Sequence, residues 1–539
     1  MLTSMSDLAV LYRDQDNYAA AESLLTKVVA AQRRILGQEH PETLESIHDL
    51  AQVYEEEGKY AQAEPLLTRN LDLRRRLLGE EHPDTLLSMV ELGWLYRQRG
   101  NYASAEPLLT KAVSAERRVR GEDHPDTLDG MNTLAVLYVT EGKFAQAERL
   151  YTETLTVKRR VLGEEHSETL MTMNNLASLY RAEGKYAQAE PLQARTLEIQ
   201  RRMLGEEHGE TLTSMNNLAS LYQAEGRFAE AEPLLNKVLE IRRRVVGGEH
   251  LDTASSMNNL AVLYGKQGKY GEAEALLAKT AAIRRRALGD EHPATLLALT
   301  NQAVVYQMQG RYAEAEALST STLAVLRRVS GEEASDTVGS MNLLGLLYRS
   351  EGKYAQAEPL LTKAIEIRRR DLGEEHPFTL TSMKNLANLY RSEGRYAEAD
   401  ALLASVPAAR RRVLGPANPD TTEAMALLGE VRLQRKMYAD AEVQLRAAVG
   451  NDESTASDSW RRFQNRSLLG ATLAAQDNYA EAEPWLVSGY QGMIQRGATI
   501  PFEDKAVLTQ AGERILQLYK SWGKPEKVTE WREKLQAQR

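Results

Sequence analysis

Between Thr211 and His250 the chain reads TLTSMNNLASLYQAEGRFAEAEPLLNKVLEIRRRVVGGEH. Leu212, Met215, Leu218, Ala219 and Tyr222 recur every three or four residues, the spacing of one helix face. Gly226 follows, suited to the left-handed residue that ends a helix. A second helical pattern runs through Phe228, Ala231, Leu234, Leu235, Val238 and Leu239. Pro233 sits early in it, where it removes one backbone donor, and Gly247 closes it. Nothing alternates apolar and polar residues between hairpin turns, so no strand is predicted. The stretch predicts two antiparallel helices joined by a tight turn. Ala231 is small enough to let the two backbones approach; a larger side chain there would overpack the crossing by about 1–3 kcal/mol.

This unit repeats every 42 residues. His40, His82, His124, His166, His208, His250 and His292 keep that period, and His376 stays in phase after one skipped copy. Tyr12 to Tyr390 and Ala21 to Ala441 follow the same step. One helix hairpin cannot bury both of its apolar faces, whereas stacked hairpins can, and the stability of such a stack comes from neighbour-to-neighbour contacts. The fold class is therefore all-α: an α-α superhelix, a right-handed solenoid of antiparallel helix hairpins. Residues 1–450 hold eleven copies. Residues 451–539 hold a polar, turn-rich joint (NDESTASDSW), a degenerate copy and a terminal capping hairpin.

The pattern of Leu218, Ala219, Tyr222, Gly226, Phe228, Ala231 and Leu239 resembles a tetratricopeptide (TPR) repeat, whose usual period is 34 residues. The longer 42-residue form, with its extended second helix and LGEEHPDT joint, resembles the repeats of kinesin light chain and of bacterial proteins that share them. The heptad segment that tethers a kinesin light chain to its motor is absent, so kinesin binding is not implied. The stretch from Trp460 to WGKPEKVTEWREKL resembles the tail of TPR-bearing bacterial serine/threonine kinases. Met1 enters directly into a first-helix pattern, which is the reason to expect an upstream domain or partner over that end.

The joint gathers His, Glu and Asp, residue types that serve metal and acid/base sites. A shared zinc ion needs ligand nitrogens about 2.0–2.1 Å away, while stacked helices lie about 8–10 Å apart. The histidines thus form a ladder that converges nowhere. Pro in the first turn and acidic residues around it suit a helix start, and Asn418-Pro419 replaces His-Pro in a late copy. The joint is read as structural punctuation, with no metal and no cofactor. The arginine runs at 242–244, 284–286 and 368–370 close second helices, where cations are favourable; they are expected to form a solvated, salt-bridged edge beside the following Glu pair.

A net charge of -9 over 539 residues gives no electrostatic case for nucleic acid or an anionic membrane. The chain has no cysteine, which excludes disulfides, thiolate sites and cysteine nucleophiles. No signal peptide or membrane-length apolar run occurs, so a cytoplasmic location is expected. No kinase, hydrolase-elbow, P-loop or HExxH motif is present, and the chain is not expected to be an enzyme.

The family resemblance places the first helices on a concave groove. Asn132, Asn174, Asn175, Asn216, Asn217, Asn258, Asn259, Asn301, Asn342 and Asn385 recur on them, with Lys384 in an asparagine's place. An amide both donates and accepts hydrogen bonds, so such a column can hold the backbone of an extended peptide. Equally, it can bond neighbouring helices to each other. Arg97, Arg181, Arg349 and Arg391 follow the core tyrosine toward the rim. The expected function is a non-catalytic scaffold that binds a protein or peptide segment. The alternative is a regulatory or sensory region of a larger signalling protein such as a kinase.

Overall fold

A computed structural model describes residues 2–15, 17–455, 459–497, 500 and 504–537. Met1 and residues 456–458 of the expected joint lie outside the described residues. Among those described there are twenty-seven helices and no strand, packed as successive antiparallel pairs. The pair Gly209–Glu225 and Phe228–Val245 matches the stretch read above, with Gly226 between them in the left-handed conformation at φ 80°, ψ 8°. By contacts the chain divides into two compact units, residues 1–179 with 284–296 and residues 180–283 with 297–539.

Within each unit the core bridges consecutive copies. In the first, Ala51, Ala63, Leu67 and Leu71 pack with Leu86, Met89, Leu92 and Leu95. In the second, Ala219, Ala231, Leu235 and Leu239 pack with Ala254, Met257, Leu260 and Leu263. Burying each leucine is worth about 1.5–3 kcal/mol, so a copy is held by its neighbours as much as by itself. Ala219 and Ala231 are wholly buried, as the close crossing requires.

The joints show what the histidines do. At each of His40, His82, His124, His166, His208, His250, His292 and His376, ring Nδ1 accepts the backbone N–H two residues on, at 3.1–3.3 Å. Asn418 does the same through Oδ1 at 2.8 Å. These are N-caps, each satisfying one of the free donors that open a helix. The threonine three residues past the cap is a second clasp: Thr85 Oγ1 donates to Gly79 O at 2.8 Å and Thr253 Oγ1 to Gly247 O at 2.6 Å.

The first member of each arginine triplet departs from the solvated edge expected, while the other two form it. The first member is an internal strut. Arg242 donates to Asp252 O at 2.8 Å and Ser256 Oγ at 3.1 Å, Arg284 to Ala294 O at 2.8 Å, and Arg368 to Phe378 O at 3.1 Å. Arg284 and Arg410 are buried, at 7% and 1% exposure. The second member meets the following acidic pair, as Arg369 meets Glu374 at 2.8 Å. The third reaches back to the preceding copy, as Arg244 meets Glu207 at 2.7 Å and Arg370 meets Glu333 at 2.6 Å.

A further cross-copy clamp was not read from the sequence. The core tyrosine, the Glu of the preceding second helix and the cation before the next second helix converge. Tyr222 Oη donates to Glu190 at 3.1 Å, Arg227 bonds Glu190 at 3.0 Å, and the Arg227 guanidinium lies 4.1 Å from the Tyr222 ring centre. The same trio forms at Tyr390, Glu358 and Arg395, and Lys59, Lys143, Lys269, Arg311 and Lys353 make the same inter-copy ion pair.

Two local departures have simple causes. The helix Tyr438–Ser454 runs through Asn451–Ser454, so the polar joint expected from residue 451 starts later. Helix capping explains this: the Asn451 side chain donates to Pro416 O at 2.7 Å, and the Thr455 hydroxyl donates to Asn451 O at 3.0 Å. In the tenth copy the second helix is broken into Tyr396–Leu403 and Val406–Leu414. Pro407 stands there in a column otherwise filled by Leu71, Val113, Leu155, Leu197, Leu239, Ala281, Leu323 and Ile365. Deep in a helix its ring and missing N–H interrupt the ladder. Pro407→Leu is expected to restore one continuous helix and add about 1–2 kcal/mol, seen as a higher denaturation midpoint; an unchanged midpoint and helicity would contradict it.

Candidate partner-binding face

The face of the first helices left uncovered by second helices carries the asparagine column, and the structure shows how its members are held. Asn175 Nδ2 donates to Asn132 Oδ1 at 3.2 Å, Asn301 to Asn258 at 3.0 Å, and Asn385 to Asn342 at 3.5 Å. Each rung joins a copy to the next. One rung therefore uses one donor and one acceptor of amides that each have two N–H bonds and two lone pairs.

The rungs are not equivalent. Asn342 also donates to Val338 O at 3.1 Å and accepts from Ser382 Oγ at 3.1 Å. It and Asn385 are buried, at 5% and 8% exposure. That rung is consumed by the fold. Asn132 and Asn258 are buried as well. Asn174, Asn175, Asn216, Asn217, Asn259 and Asn301 are half-buried.

The cations divide in the same way. Lys384 is paired with Glu423 at 2.6 Å and Arg391 with Glu430 at 2.9 Å, both in the following copy. Glu423 is half-buried, which opposes its ionisation, but Lys384 and Arg461 outweigh this and hold its pKa at about 2. These two cations belong to the fold's own network. Arg349 and Arg97 are half-buried, and Arg97 lies over Trp94 at 5.9 Å. Arg181 is different. Burial lowers its pKa with no carboxylate beside it, and Lys266 is lowered by burial and then by Arg181 itself. A half-buried Arg181 and an exposed Lys266 thus lie near enough on the second unit for the first to disfavour charge on the second.

At the other end of the column a histidine and a glutamate take the place of an amide pair. His48 lies 3.2 Å from Glu91, in the register of the Asn132–Asn175 rung. Burial disfavours charge on His48, yet the neighbouring Glu91 prevails and raises its pKa. Glu55 close by is pushed up to about 8 by burial and by Glu91. The first unit's face therefore carries a histidine–glutamate pair at this point and amides further on. Among the described residues no group of His, Asp and Glu is arranged to hold a metal ion, and no helix is long and apolar enough to cross a membrane.

Stacked helix pairs that join copy to copy through caps, clamps and amide rungs define an all-α helical-repeat protein. The chain belongs to the tetratricopeptide repeat family: a family model described as tetratricopeptide repeat matches residues 1–69, 48–115, 97–160, 133–202, 168–244, 210–286, 252–328 and 336–406. A second tetratricopeptide model matches residues 466–487. No curated protein matches the chain. Among solved structures it is similar to two of a Podosopora anserina protein, described as a kinesin light chain with nearly identical TPR-like repeats. Their identities are 31% and 32%, over 38% of this chain and 98% of each of those, with TM-scores of 0.35 and 0.34. BtubC (BKLC) from P. vanneervenii is similar at 24% identity over 43% of this chain and 92% of its own, with a TM-score of 0.36. Tetratricopeptide repeats typically mediate protein–protein interaction and are typically non-catalytic.

Proposed function

We propose that the protein is a non-catalytic interaction scaffold that holds an extended segment of a partner along the uncovered face of its first helices. The observation that carries this reading is the row of half-buried asparagines on successive first helices, two of which, Asn175 and Asn301, are oriented by bonds to the preceding copy. A preorganised amide loses little entropy on bonding a peptide backbone, and a row of them bonds backbone without demanding one side-chain sequence. Where side chains do matter, Arg181 and Lys266 suit a carboxylate of the bound segment.

A random peptide library displayed on phage tests this with the full chain as bait. The wild-type protein is expected to enrich extended peptides. Changing Asn174, Asn216, Asn217 and Asn259 together to Ala is expected to cut capture at least about 10-fold, since each amide bond contributes about 1 kcal/mol. Arg181→Gln is expected to remove the acidic preference among the enriched peptides. Equal capture by the wild type and a folded quadruple variant would defeat the proposal.

A further inference from the structure

Most side-chain contacts of this fold reach only into the neighbouring copy. Two contacts within the units reach much further. In the first unit the turn at Glu56–Gly58 lies against the joint His292-Pro293. A side chain on Gly58 would stand 3.2 Å from Pro293 Cγ and Cδ, and Gly58 itself is left-handed at φ 73°. In the second unit the turn at Ala182–Gly184 lies against Asn418-Pro419. There a side chain on Gly184 would stand 3.2 Å from Asn418 Nδ2 and 3.3 Å from Pro419 Cδ, and Asn418 Nδ2 donates to Ala182 O at 3.3 Å. The offset is about 236 residues in both cases. A hairpin turn meets a helix cap several copies further along the chain.

The two contacts differ in one chemical respect. Asn418 caps its own helix through Oδ1 and reaches the distant turn through Nδ2. Neither function depends on pH. His292 caps through Nδ1, which accepts from Ala294 N–H at 3.1 Å, so its proton is on Nε2. That Nε2 is buried, faces the Glu56 main chain and has no well-formed hydrogen bond. Protonation would remove the Nδ1 lone pair that caps the helix, and would place a cation at a helix N-terminus.

We propose that the His292-Pro293 joint docked on the Glu56–Gly58 turn is an acid-released latch, and that Asn418-Pro419 on Ala182–Gly184 is its pH-independent counterpart. The charged groups around His292 are of both signs, and Arg284 is the one that bears on its charge. From its preceding helix comes Arg284, whose guanidinium donates to Ala294 O at 2.8 Å. From the joint come Asp290, already held by Arg285 at 2.8 Å, and Glu291. From the opposing turn come Glu56 and Glu57, the latter held by Lys59 at 2.9 Å. Burial lowers the His292 pKa; the Glu56 main chain opposes this and Arg284 adds to it. The docked form thus prefers the neutral ring. Its stabilisation is complete above the usual histidine range near 6.5 and is lost as pH falls through the lowered value.

The chain contains no cysteine, so spin labels can be placed at chosen pairs in the full-length protein. One pair is Ala61→Cys with Ala287→Cys, at exposed positions beside the first latch. The other is Ala187→Cys with Ala408→Cys, exposed positions in the two copies the second contact joins. At pH 7.5 both pairs are expected to give narrow distance distributions. At pH 5 the first should broaden and lengthen by several ångströms while the second stays narrow. His292→Asn, which copies the residue at the second contact, should keep the first pair narrow at pH 5. The proposal is overturned if the first pair is unchanged at pH 5, if both pairs broaden together, or if a folded His292→Asn variant opens as the wild type does.

Discussion

Gly489→Ala is expected to lower the stability of the C-terminal hairpins by about 2–3 kcal/mol, a cost at the upper end of the overpacking range. Gly489 lies in the helix Tyr479–Gln495, packed on Trp460–Ala474. A Cβ there would stand 2.7 Å from Phe463 O and 2.8 Å from Ser467 N. Both are backbone atoms of the facing helix, so no rotamer change relieves the clash. The reverse contact is as tight: a Cβ on Gly470 would stand 2.9 Å from Leu486 N and 3.0 Å from Ala482 O. The helices must separate, loosening the cluster of Leu469, Leu473, Leu486, Tyr490, Met493 and Ile515. Better helix propensity returns at most about 1 kcal/mol. In a nearest-neighbour array the damage stays local. Four of the five tryptophans, Trp460, Trp485, Trp522 and Trp531, lie in this region. Tryptophan fluorescence should therefore report a lower urea midpoint, while helicity lost from the remaining copies keeps its midpoint. Coincident, unshifted transitions would contradict this.

Glu116→Gln is expected to stabilise the protein at pH 8 by about 2 kcal/mol, and by progressively less as pH falls toward 5. Glu116 occupies the column of the struts Arg74, Arg242, Arg284, Arg368 and Arg410. It is 4% exposed, its Oε2 has no hydrogen-bond partner, and Gly130 opposite leaves just enough room for it. Burial, and then Asp126, push its pKa up to about 7. The folded state therefore favours the protonated acid. Relative to an unfolded value near 4.5, the wild type is stabilised in full below that pH and loses the benefit as pH rises through about 7. The neutral amide has nothing to lose. Denaturation at pH 5 and 8 should show the gap opening with pH; a constant gap, or a variant weaker at pH 8, would refute the assignment.

Much of this architecture was legible in the chain. The spacing of Leu212, Met215, Leu218 and Tyr222 located the first helix, Gly226 its end, and the Asn418 replacement showed that the joint histidines cap rather than ligate. The salt-bridged edge of the second and third arginines was legible, but the strut role of the first was not, because helix-end charge is a local rule whereas the burial of Arg284 and Arg410 depends on a carbonyl ten residues on. The Tyr–Glu–cation clamp had a signal, since the three residue types recur in phase, but their convergence requires stacked copies. Among the asparagines the sequence offered one column. Only the distances separate the consumed Asn342–Asn385 rung from the half-buried amides, and the paired Lys384 and Arg391 from Arg181. The break at Pro407 was readable by column comparison. The 236-residue contacts were not, because a 42-residue period carries no information about how far the array bends per copy.

Those distant contacts make copy number itself a selectable trait. Excising one complete 42-residue module between Gly58 and His292 would leave every local bond type intact. It would also bring Ala334-Ser335 to the place of His292-Pro293, and Ala334 makes no side-chain cap bond. A gene duplication or deletion that looks silent at each seam would then change which surfaces meet across the molecule, so families built from such modules can evolve their mechanics by counting rather than by substitution.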